Sequence, residues 1–331
     1  MTAIDIIRSA HVELKVTDLA RSRAWYVDLL GFNVTEEDQE AIYLRGIEER
    51  CHHSLVLRKA PQPAVGHISF RVAGPDDLAL IERLHRGHDL PARRLDPGTE
   101  VGQGRALRVR DPLGMPVEYY AEMDWVEPLM QKFHLHRGPG IQRFDHLNCG
   151  VPDVQKAYDW YTRQLGFRCS EYTDTDEGEQ SKLWAAWLFR KPNVHDLALM
   201  NSTGPRLHHF AFWVENALSL IKACDILAAA GYGGSIERGP GRHGLSNAMF
   251  LYLRDPDGHR LELYTSDYLT ADPDLPPIRW SVNDKRRQTF WGYAAPPSWF
   301  EELSTFEDPL TGGPVSMAVP LLHHRPQTAT Y

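Results

Sequence analysis

A stretch of 22 residues occurs twice in this chain, and that repetition limits the fold more than any other feature. HVELKVTDLARSRAWYVDLLGF from His11 lies over HLNCGVPDVQKAYDWYTRQLGF from His146, so Val16 meets Val151, Asp18 meets Asp153, Trp25 meets Trp160 and Tyr26 meets Tyr161. Further on, HISFRV from His67 lies over HFAFWV from His209. RDPLGMPVEYY from Arg110 lies over RDPDGHRLELY from Arg254, which sets Glu118 against Glu262. The offsets are 135, 142 and 144 residues, so the copies differ by small loop insertions. Solenoid repeats recur every 20 to 50 residues or so and need at least about three copies. This is a duplicated domain.

With 331 residues the chain is long enough for two domains that each bury a core. Thirty-six basic against 44 acidic residues give a net charge of -8, and no block of Lys or Arg could follow a phosphate backbone. Nucleic acid is therefore excluded as a partner. MTAIDIIRSA lacks the features of a secretory signal, and no apolar run approaches the roughly 20 residues that span a bilayer. A cytoplasmic location, with no membrane partner, is expected. Cys51, Cys149, Cys169 and Cys224 show no paired spacing, which points to reduced, packed thiols.

The periodicity changes in the same order within each copy. FDHLNCGV (144–151) alternates as a strand; Asp153 is an N-cap, and VQKAYDWYTRQL has helical spacing up to Gly166. Strands follow at FRCSEYT, KLWAAWLF and VHDLALM. The unit restarts with HHFAFWV, a helix at ALSLIKACDILAAAG, and strands near Ile236, at AMFLYLR and at HRLELYT, the last two joined by an Asp-Pro-Asp-Gly turn. Each half is thus a pair of β-α-β-β-β units, an α+β arrangement.

FDHLNCGVPD, HHFAFWV, RGPGRHG and DPDGHRLELYTSDY resemble the vicinal oxygen chelate superfamily. Within it they resemble the two-domain type I extradiol catechol dioxygenases, most of all the 3,4-dihydroxyphenylacetate (homoprotocatechuate) 2,3-dioxygenases. The likeness covers roughly residues 8 to 268. It implies two tandem domains, each with two β-α-β-β-β units curved into a half-open barrel. Residues 1–135 form a first domain without catalytic metal, 136–270 the catalytic domain, and 271–331 an extension over the active site or a subunit interface. The implied reaction uses O2 and a divalent metal, Fe(II) or Mn(II), to cut a catechol ring beside its diol and give a yellow muconic semialdehyde. Relatives of this kind are commonly homotetramers.

The residues themselves support a metal. His146, His209 and Glu262 fall on strands with alternating neighbours, so each can point into a barrel. Two imidazoles and one carboxylate leave other positions open, as in non-haem Fe(II) oxygenases, and Mn(II) accepts the same donors. His208 is expected on the opposite face from His209. His195, on the expected strand VHDLALM, is the candidate acid and base. Tyr252 resembles a tyrosine that bonds a substrate or intermediate oxygen, Asn148 shares the face of His146, and Trp187 resembles a pocket wall.

Arg238, Arg242 and His243 lie in a glycine-rich stretch read as a loop able to close over the pocket, and Arg suits a carboxylate. Arg286 and Arg287 resemble a second clamp, although an ungapped match sets Gln288 where an arginine is expected. His11, His67 and Glu118 match all three ligand positions in the first copy, and His53 matches His195. There Tyr252 is replaced by Arg108, a cation that opposes a divalent metal, and Asn148 by Glu13. The second copy is therefore the expected metal site. The alternatives are an extradiol dioxygenase for another catechol, a glyoxalase-type metal isomerase or lyase, and a metal-free binding module.

Overall fold

The structure is a computed structural model that describes residues 4–272 and 274–324. Two mixed sheets carry it. The first runs, in spatial order, Asn33–Glu37, Ala41–Arg45, Leu55–Lys59, Ile6–Val16, Ala64–Val72, Pro116–Tyr120, Ala106–Arg110 and Ala92–Leu95. The second repeats that order with Arg168–Asp174, Leu183–Phe189, Leu197–Asn201, Ile141–Val151, Arg206–Val214, Arg260–Thr265, Met249–Arg254 and Ile236–Arg242. In each copy the long first strand pairs in parallel with its own unit and antiparallel with the next, which stitches two β-α-β-β-β units into one curved sheet.

The helices begin where the sequence indicates. Asp18 accepts from the amide of Arg21 and Asp153 from that of Lys156, each satisfying a free amide of the first turn. Neither helix stays regular: Leu19–Arg23 continues as a π-helical Ala24–Leu29, and Val154–Asp159 as Trp160–Gln164. Consecutive residues of an α-helix point about 100° apart, and the wider turn narrows that angle, so both rings of Trp25–Tyr26 and of Trp160–Tyr161 reach the core.

One apolar core runs through both copies. The contacts across it are reciprocal: Phe32 meets Phe212 edge-on at 4.7 Å and Phe167 meets Phe70 at 5.4 Å. The hydroxyl of Tyr26 donates to Asp255 at 2.9 Å and that of Tyr161 to Asp111 at 3.2 Å.

Two expectations need correction. The strand read from Val194 begins at Leu197, because Asp196 turns its carboxylate back onto the amides of Ser9, Arg190 and Lys191; His195 therefore sits in the turn before the strand. RGPGR is not a closing loop but the edge strand Ile236–Arg242, with bulges on Met249–Arg254 that accommodate its glycines and proline. After residue 270 the chain adds the strand Ile278–Ser281 to the edge of the second sheet and the helix Ser298–Glu301. Residues 325–331 of the expected extension lie outside those described. Among the described residues no helix is long and apolar enough to cross a membrane.

Candidate metal centre

Strand register brings the histidines and the glutamate together. His146 and Glu262 both sit opposite Ala211, His209 sits opposite Asn148, and Tyr252 lies opposite Glu262. His146 Nε2 lies 2.9 Å from Glu262 Oε2, His209 Nε2 lies 3.1 Å from the same oxygen, and the two nitrogens are 3.3 Å apart. Glu262 Oε1 is buried without a hydrogen-bond partner. Three buried donor atoms converging on one point suit a divalent ion with open positions. Despite burial, His209 and His146 hold the Glu262 carboxyl well below the usual carboxylate range.

Each histidine is held from behind by the residue before it, and a bulge makes that possible. The pairing of Ile141–Val151 with Arg206–Val214 slips between Leu207 and His209 and again between Ala211 and Phe212, so His208 and Asp145 are the extra residues. Asp145 Oδ2 lies 2.8 Å from His146 Nδ1, and His208 Nδ1 lies 2.6 Å from His209 Nδ1. The other nitrogen of His208 reaches the carbonyl of Trp299 at 2.9 Å. The expectation that His208 simply faces away from His209 is thus corrected, since strict alternation fails at a bulge. Such partners orient metal-binding imidazoles and fix their tautomer.

The first copy has the same bulges without the partners. Ala10 and Gly66 take the places of Asp145 and His208, and His11 Nδ1 and His67 Nδ1 are buried without partners. His11, His67 and Glu118 still converge, with 3.0 Å between the two Nε2 atoms and 3.4 and 3.6 Å from these to Glu118. Glu118, however, is engaged by Arg108 Nε at 2.7 Å and Gln103 Nε2 at 2.8 Å. Arg108 also pairs with Glu100, which pairs with Arg58, which pairs with Glu13. Ion pairs occupy the room that stays open in the second barrel.

Of the residues singled out in the sequence, His146, Asn148, Trp187, His195, His209, His243, Tyr252, Glu262 and Arg287 line one cavity, together with Gln288. The His195 ring centroid is 3.9 Å from that of His146, and its Nδ1 is without a partner. Burial, reinforced by the charge on His146, pushes His195 well below the usual histidine value. The Tyr252 hydroxyl is 2.9 Å from His243 Nε2.

Arg238, Arg242 and Arg286 do not line the cavity. Arg238 is packed at 4.5 Å from the ring of Trp299, behind Tyr252, and donates to Gln288 O and Thr289. Arg242 donates to the carbonyl of Asn247, and Arg286 points outward to Asp284. Arg287 is 2 % exposed, its Cζ is 5.2 Å from the Trp184 ring, and its Nε and Nη2 are buried without partners. Burial, then the nearby charge of Arg238, lowers Arg287 to about 10, which leaves it cationic at neutral pH.

Sequence reading missed Asp145, Tyr264, Trp184 and Trp299. The signal for Asp145 was its place before His146, for Tyr264 its spacing of two from Glu262, and for Trp184 its place in the strand KLWAAWLF that also carries Trp187; Trp299 comes from a stretch without a motif.

Comparison with known proteins agrees with this geometry. The profile of the Glyoxalase/Bleomycin resistance protein/Dioxygenase superfamily matches residues 8–119 and 143–263. The manganese-dependent 2,3-dihydroxybiphenyl 1,2-dioxygenase of Geobacillus genomosp. 3 is 32% identical over 88% of this chain and 95% of its own. The metapyrocatechase of Geobacillus stearothermophilus is 30% identical over 89% and 93%. An anaerobic complex of homoprotocatechuate 2,3-dioxygenase from Brevibacterium fuscum with 3,4-dihydroxyphenylacetate superposes with a TM-score of 0.92, at 45% identity over 96% of this chain and 98% of that one.

Proposed function

We propose that this chain, which belongs to the Glyoxalase/Bleomycin resistance protein/Dioxygenase superfamily and is an extradiol catechol dioxygenase, acts on a catechol with an acidic side chain, 3,4-dihydroxyphenylacetate first among them. The observation that carries the substrate is Arg287: a buried guanidinium with two unpaired donors, in a cavity whose carboxylate faces the histidines. A substrate carboxylate supplies the missing partner, since leaving a buried donor unmatched costs about 1–3 kcal/mol.

The cofactor is Fe(II) or Mn(II), and we assign its ligands as His146, His209 and Glu262. Held by these three residues, the ion would supply open positions for the diol and O2 and a route for electron transfer between two partners that otherwise react slowly. The rest is the work of side chains. His195, neutral in its buried place, takes a proton from a catechol hydroxyl and later returns it to oxygen, a role worth roughly 10²- to 10⁴-fold in rate. Tyr252, held by His243, donates to an oxygen of the substrate, and Asn148 offers its amide on the same wall. Trp187, with Trp184 and Trp299, excludes water around the ring. The carbon–carbon bond beside the diol breaks, both oxygen atoms enter the product, and no outside reductant is consumed.

This reading places catalysis in residues 136–270, leaves 1–135 without catalytic metal and gives 271–331 a covering role. It also takes the enzyme to be cytoplasmic and a homotetramer, and light scattering after gel filtration checks the oligomer. The substrate is tested by loading the protein with Fe(II) or Mn(II) anaerobically and comparing oxygen uptake on 3,4-dihydroxyphenylacetate and on unsubstituted catechol. Preference for the acid, with a yellow product, supports the reading. Equal kcat/KM for both overturns the carboxylate clamp.

A further inference from the structure

A cavity of about 380 Å³ lies apart from the metal centre, where the strands of the first copy meet the start of the second. That is within the roughly 300–1,000 Å³ typical of small-molecule sites. Its walls carry more positive than negative groups. Arg143 is matched by Glu48 at 2.8 Å and Lys191 by Asp196 at 2.8 Å. Glu49 accepts from the neutral Gly46 amide and Ser54 hydroxyl, at 2.7 and 2.6 Å, and lies close enough to Arg8 to favour its charge. Arg8, Arg50 and Arg71 then outnumber the two lining carboxylates that have no salt-bridge partner among the described residues, Glu49 and Glu122.

Arg8 is oriented by the carbonyl of Ser9 at 2.9 Å and the sulfur of Cys51 at 3.8 Å. Burial pushes the Cys51 thiol up to about 11, so it adds no negative charge. Tyr120 forms part of the wall, and its hydroxyl is buried without a partner. Apolar surface is present as well. Arg71 lies 5.7 Å over the ring of Trp125, a tryptophan 70% exposed at the rim, and Phe144 forms part of the wall.

We infer that this cavity is a second ligand site, taking a small carboxylic acid with a flat unsaturated body. The carboxylate meets Arg8 and Arg71, and the body lies against Trp125 and Phe144. Guanidinium groups suit carboxylates by their planar paired donors, and aromatic rings offer a stacking surface to a flat, uncharged body. The inference does not depend on which catechol the enzyme cleaves.

The test is calorimetric titration of the Mn(II)-loaded full chain with trans,trans-muconate and with phenylacetate, neither of which is a catechol. Arg287→Leu serves as the background, so that carboxylate binding at the metal cavity is weakened, and the Arg71→Ala comparison separates what remains there from the second site. The expected result is one site per chain with a Kd at or below about 1 mM for at least one acid. Arg71→Ala and Arg8→Gln should each weaken it roughly tenfold or more, and Arg71→Ala should leave catechol turnover unchanged. Tighter binding of muconate identifies a ring-opened dicarboxylate as the natural class, and tighter binding of phenylacetate an aromatic acid. Absence of binding by both acids, or an affinity indifferent to Arg71→Ala, overturns the inference.

Discussion

Asp145 sets a carboxylate oxygen 2.8 Å from Nδ1 of His146, and Ala10, the residue at the same bulge of the first barrel, leaves Nδ1 of His11 bare. The backbone irregularity is common to both copies, while the side chain that exploits it is present in one. Asp145→Ala should therefore lower metal affinity about 10- to 100-fold while the fold persists. Competition with a chelator measures this, and an unchanged affinity would show that His146 needs no support.

On the proposed reading, Arg287 governs choice of substrate. Arg287→Leu should reduce kcat/KM for 3,4-dihydroxyphenylacetate by roughly 10- to 100-fold, in line with about 1.5–3 kcal/mol for a charged hydrogen bond. Unsubstituted catechol should be affected little. Steady-state oxygen uptake on both substrates separates this from a general loss of activity.

Metal loading should depend on pH through His146. In the metal-free protein burial lowers its value, but the hydrogen bonds of Asp145 and Glu262 win and raise it to about 9, above the ordinary 6.5. The folded value exceeds the unfolded one, so the stability from this proton is full below about 6.5 and is lost as pH rises through about 9. A metal must displace the same proton. Apparent affinity should then rise roughly tenfold per pH unit from 7 toward 9 and level off above it, as titration of the apoprotein at fixed ionic strength can follow.

The reciprocal tyrosines tie the copies together. Tyr161→Phe leaves Asp111 buried, with its carboxyl already raised to about 6 by burial. Above that pH the charged form is present in the fold, so a loss of about 1–3 kcal/mol is expected at pH 8 and a smaller one at pH 5. Denaturant unfolding at the two pH values reads the difference.

The duplication, the fold class and the converging triad were legible because each rests on residue identity at fixed spacing. The bulges were not. An extra residue in one strand leaves no mark in a hydrophobic pattern, so alternation predicted His208 on the wrong side and gave Asp145 no role. His195 was found as a residue but misplaced in a strand, since the turn is set by Asp196 reaching amides distant in sequence. The arginines show the same limit. Five basic residues were equal as letters, and only packing separates Arg287, which faces the cavity, from Arg238 behind Tyr252 and Arg286 in solvent. Gln288 lines the cavity beside Arg287, so the guanidinium reaches the site from the neighbouring position.

On the proposed reading one barrel holds the working metal, although both carry the ligand set. Metal analysis and oxygen uptake on a matched pair, His146→Asn and His11→Asn, reconstituted with Fe(II) under the same conditions, decide between the two barrels. His11→Asn should keep close to one metal per chain and cleave catechol, while His146→Asn should lose both. Loss of metal and turnover in His11→Asn, with retention in His146→Asn, would contradict that reading.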